Sequence, residues 1–163
     1  MSQNLDEHAT FETKLTLLQE ILDKKHAALT DVLNISENQE TLYLSPPSDE
    51  RREFLIEIGK EKQKQIDEVL ACDEVFQRIF DSIADEFAIK SGDYKEKVQR
   101  LQTSINEILK LDVKIRAQEE KGKALANASF GQQSGQANIN SASTNYILDK
   151  YREASKNRPQ PAE

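Results

Sequence analysis

The chain of 163 residues is long enough for one ordinary domain and short for two. Hydrophobic residues make up 37%, charged residues 31%, Trp is absent, and Gly and Pro number 5 and 4. That profile argues against turn-rich β sandwiches or barrels and against doubly wound α/β folds, and it suits long solvated helices sharing a narrow apolar seam. The formal charge of −7, without clustered Lys and Arg, speaks against a general binder of nucleic-acid backbones.

The N-terminal stretch, residues 1–12, is polar and acidic and lacks the apolar run of a secretory signal. No run of about 18 apolar residues occurs anywhere, so no membrane insertion is expected. The single cysteine, Cys72, can form no internal disulfide, which fits a reducing, cytoplasmic setting.

The first apolar series is Phe11, Leu15, Leu18, Leu22, Leu29 and Leu33, a helical period interrupted at Lys25 and His26. A second row, Leu17, Ile21, Ala28, Val32 and Ile35, lies beside it. The stripe is wide enough to face two neighbours, and the spacing predicts a helix over residues 6–38. Pro46 and Pro47 then exclude helix interior but are tolerated in a first turn. Ser45 or Ser48 is placed to cap, with Asp49 and Glu50 near the positive end of the next helix.

The second series runs Leu55, Ile58, Lys62, Ile66, Val69, Asp73, Phe76, Phe80, Ile83 and Phe87 in steps of 3 and 4. It predicts a helix over residues 49–90, roughly 60 Å long, which needs a partner helix along most of its length. Ser91 and Gly92 are read as its stop and Asp93 as the cap of the third helix, over residues 93–126. Its series is Tyr94, Val98, Leu101, Ile105, Ile108, Asp112, Ile115, Glu119, Gly122 and Ala126, with apolar content fading after Ile115. The turn between the second and third helices is short, so they are expected to be antiparallel neighbours. Net charge is −5 over residues 1–45, −5 over 46–92, +2 over 93–126 and +1 over 127–163. The third helix is therefore set to attract the other two.

From Ala124 to Leu148 no charge occurs in 25 residues, and 14 of the 19 residues 127–145 are Gly, Ser, Thr, Asn or Gln. Such a stretch buries too little to order itself, so residues 127–163 are read as a flexible tail. A short amphipathic helical segment is expected over 144–155, where Tyr146, Ile147, Leu148 and Tyr151 offer anchors for helix-in-groove recognition. The architecture is thus all-α: an elongated antiparallel three-helix bundle over residues 1–126, then the tail.

Catalytic constellations are largely absent. Cys72 is read as an ordinary small residue near a core edge, because neither His8 nor His26 pairs with it in sequence. Asp23 and His26 have a spacing used in di-iron bundles, but no second such pair exists, so no metal or other cofactor is expected. Asp73, Asp112 and Glu119 occupy core positions. Paired carboxylates can serve acid–base chemistry, but polar core residues more often set register or mark where a bundle opens to water. No enzyme activity is expected.

The layout resembles the FlgN/FliT-like flagellar export chaperones over residues 11–155. The residues that carry the likeness are the leading stretch 15–22 (LTLLQEIL), the middle stretch 64–70 (KQIDEVL) with Phe76, the stretch 115–119 (IRAQE), and Thr144-Asn145-Tyr146 leading into Tyr151. It looks most like the versions of flagellated Gram-positive anaerobes, although the double-proline connection departs from the family pattern. The resemblance implies a cytoplasmic protein without chemistry of its own. It would bind the helical ends of hook-associated or filament-cap proteins and pass them to the export apparatus, with homodimerisation compatible. It implies contact through Tyr146, Ile147, Leu148 and Tyr151, with Leu125 and Phe130 secondary. The competing reading is a non-flagellar coiled-coil adaptor or structural oligomerisation protein, which would form stable oligomers without need of residues 144–155.

Overall fold

A computed structural model describes residues 10–130. They form three long helices, α1 (Phe11–Leu44), α2 (Asp49–Lys90) and α3 (Lys95–Phe130), with a 3-10 turn at Ser91–Tyr94 between the last two. Among the described residues there is no strand, and the fold is an all-α helical bundle.

Each helix start follows from local chemistry. Thr10 Oγ1 accepts from the Thr13 N–H at 3.1 Å, and Ser48 Oγ accepts from the Arg51 N–H at 3.0 Å. Each supplies a partner to a donor that the first turn leaves orphaned. The second helix has the bounds expected from sequence. The first runs on to Leu44 rather than ending near Asn38, because Gln39 and Glu40 bond to α2 and α3 and Leu42 and Tyr43 are half-buried. The third begins at Lys95 and continues to Phe130. Asp93 is not its cap: residues 91–94 keep right-handed backbone, with Ser91 at φ −57 and ψ −31, so the chain turns through a 3-10 segment without a left-handed glycine.

The helices run up, down and up. Phe11 lies against both Phe87 and Tyr94, with ring centroids 6.3 and 5.4 Å apart, and Gln19 Nε2 donates to Ser104 Oγ at 2.8 Å. α1 and α3 are therefore parallel, with α2 antiparallel to both. α1 brings its backbone close to the other two, as its wide stripe predicts, whereas α2 and α3 keep their backbones apart along nearly all their length. They are antiparallel, but they meet largely through side chains. Charge attraction between α3 and α1 takes the form of Lys97–Glu12 at 3.1 Å and Lys121–Glu40 at 2.7 Å, partly solvated pairs of the kind that contributes about 1 kcal/mol or less.

The core is built on Leu15, Leu18, Leu29, Val32, Ile66, Ile83 and Ile115, each at most 2% exposed. Fully burying one such side chain contributes about 1.5–3 kcal/mol. Leu17, from the second row of α1, is 39% exposed and lies outside this core.

Candidate functional site

The buried seam of α1 is Phe11, Leu15, Leu18, Leu22, Lys25, Leu29, Val32 and Ser36, an unbroken alternation of steps of 4 and 3, with Ala28 buried beside it. Lys25 does not interrupt the seam; it belongs to it. Its ammonium pairs with the Asp73 carboxylate of α2, and Asp112 is buried next to Arg116, which reaches it at 3.3 Å. A second polar layer lies further along. There Lys62 of α2 pairs with Glu119 of α3, both side chains 4% exposed. Ser36 Oγ donates to Glu119 Oε1 at 2.6 Å, and Lys62 Nζ donates to Gln39 Oε1 at 2.9 Å. Burial pushes the Lys62 ammonium below its ordinary pKa, with Glu119 pulling the other way. Burial, reinforced by the Glu119 carboxylate, raises the Tyr43 phenol. Asp73, Asp112 and Glu119 thus face cations in structural layers.

Beyond the second layer lies the end of the bundle that carries the α1–α2 connection. Arg51 is buried there and ties three segments: its Nη1 donates to the Ser45 carbonyl at 2.8 Å and its Nη2 to Ser129 Oγ of α3 at 3.2 Å. The last turn of α3 therefore sits beside the connection. Three large apolar side chains of this end stand in solvent, Leu44, Phe54 and Ile56, at 66%, 60% and 51% exposure. Leu44 precedes the proline connection, and Phe54 and Ile56 follow it on α2. A second, smaller pair, Leu109 and Val113, lies one turn apart on α3.

Of the contact residues expected from sequence, Leu125 is half-buried on α3 at the connection end. Phe130 is the last residue of that helix. Tyr146, Ile147, Leu148 and Tyr151 lie outside the described residues, as does the segment 144–155. Phe54, Ile56 and Leu44 escaped the sequence reading because they fall off every heptad row. Their signal was that they are apolar and off-seam, flanking a proline connection.

Other chemistry is sparse. Cys72 is 6% exposed, and burial raises its thiol above the ordinary value, which disfavours the reactive thiolate. Among the described residues no group of three or more His, Cys, Asp or Glu could hold a metal ion, and no helix is long and apolar enough to cross a membrane. A shallow cleft between α1 and α3, lined by Leu15, Gln19, Asp23, Lys97 and Arg100 among others, has mixed charge. The chain matches no protein-family model, no curated protein and no solved structure.

Proposed function

We propose that the protein is a cytoplasmic flagellar export chaperone of the FlgN/FliT-like type. It binds the helical ends of hook-associated or filament-cap proteins, without catalysis, and delivers them to the export apparatus. The supporting observation is the connection end of the bundle: Leu44, Phe54 and Ile56 stand exposed where α3 ends at Phe130, and the chain beyond carries Tyr146, Ile147, Leu148 and Tyr151. Amphipathic helical ends self-associate when unpaired, and a thin bundle with an apolar end and a tethered aromatic segment offers them an alternative partner. An isolated helix of the client lays its apolar stripe against these side chains and leaves its polar face in water.

The test is titration of the full chain with labelled peptides from the terminal helices of hook-associated and cap proteins. Binding should weaken in a Tyr146→Ala/Ile147→Ala variant whose thermal melt is nearly unchanged. A large fall in melting temperature would instead place those residues in the core. Absence of binding, together with stable oligomers of the full chain and of residues 1–126 by light scattering, would favour the adaptor reading.

A further inference from the structure

The continuous apolar core does not run the length of the bundle. It starts at Phe11, Phe87 and Tyr94 and ends at Val32, Ile66 and Ile115. The next layer is Ser36, Lys62 and Glu119. Past it lie residues 37–44 of α1, 49–60 of α2 and 120–129 of α3, and none of their side chains belongs to that core. Tyr43, Leu55 and Ile58 are half-buried there, and Ala126 is buried but lies apart from the core. Polar contacts tie this end together: Glu40 with Lys121 and Gln118, and Arg51 with Ser45 and Ser129. Water can replace each of these at little net cost.

Two helix-interior glycines stand at the same level of this end. Gly59 precedes Lys62 by three residues and Gly122 follows Glu119 by three, so the antiparallel pair places them one turn beyond the ion pair, opposite in register. A Cβ at either position would meet nothing within 4 Å, and neither has a positive φ. Neither close packing nor backbone conformation calls for glycine. What glycine does there is weaken the helix, by about two- to fivefold in its open-to-closed ratio relative to alanine.

We propose that residues 37–60 and 120–130 open as one unit, with Gly59 and Gly122 as the weak points just beyond the Ser36–Lys62–Glu119 layer, while that layer and the core from Phe11 to Val32 stay closed. Opening frees Tyr43, Leu55 and Ile58 without global unfolding. The device rests on the bundle alone and stands whatever the protein binds.

Native-state amide hydrogen exchange on the full chain tests it. Amides of 37–60 and 120–130 should share one opening that is faster than the exchange of 15–32, 66–83 and 101–115. Gly59→Ala and Gly122→Ala should each slow that set by about two- to fivefold. Ile83→Val, in the core, should speed exchange of the core amides by about two- to twelvefold and leave the connection end unchanged. If Ile83→Val accelerates both sets equally, the bundle is a single cooperative unit and the proposal fails. It fails equally if the alanine variants leave the connection end as it was.

Discussion

Lys62 of α2 and Glu119 of α3 form a buried ion pair across the two helices whose backbones stand furthest apart. Two long side chains span the separation between these backbones. Removing one partner leaves the other charge buried, so Lys62→Met or Glu119→Leu alone should each destabilise the fold by about 3–5 kcal/mol. The double variant should recover most of this, or exceed the parent by about 1–4 kcal/mol, because matched hydrophobic replacement removes the desolvation penalty. Urea unfolding of all four proteins reads the cycle; additive losses would show that the two residues do not interact.

Core and surface apolar residues should separate cleanly. Leu29→Ala, at a position 0% exposed, should cost about 2–5 kcal/mol through lost transfer energy and a cavity. Val113→Ala, at a position 66% exposed, should change stability by about 0.5 kcal/mol or less. Calorimetric melts of the two variants give the comparison.

Acid should loosen the connection end through Glu40. Hydrogen bonds from Lys121, then Gln118, hold its carboxyl below the ordinary value of 4.5. A carboxylate with a lowered folded pKa contributes stability that is full above 4.5 and is lost as pH falls through the folded value. The stability gap between the parent and Glu40→Gln should therefore shrink on acidification below that point. A gap constant from neutral pH to pH 3 would show that Glu40 is unshifted.

Cys72 should resist thiol reagents. Its burial and raised pKa leave little thiolate at neutral pH, so labelling of the folded chain should be slower than of the unfolded chain and should accelerate in step with denaturant. Labelling at the unfolded rate without denaturant would contradict its burial.

How much of this was legible before folding depends on the residue. Helix periodicity and the 48/49 start of α2 follow from local rules: spacing of 3 and 4, a serine cap, prolines that donate no hydrogen bond. Lys25 and Ser36 were legible in principle, since strict alternation of steps from Leu22 lands on both, but a polar residue breaks an apolar tally even when it sits in the seam. Arg51 was not legible. Its burial depends on Ser45 and Ser129, the latter 78 positions away, and local pattern carries nothing about so distant a partner.

The amino-acid order alone determined that residues 10–130 make three long helices, where the proline connection falls, and that acids stand at core positions 73, 112 and 119. Those are consequences of backbone sterics and of apolar residues repeating with the helical turn. Only the tertiary structure decided that α2 and α3 each approach α1 more closely than they approach one another, that Lys25 answers Asp73 and Lys62 answers Glu119, and that the apolar core stops at Val32, Ile66 and Ile115. Which charge meets which is set by the relative offset of whole helices, and that offset emerges from the sum of all their contacts rather than from any one stretch of chain.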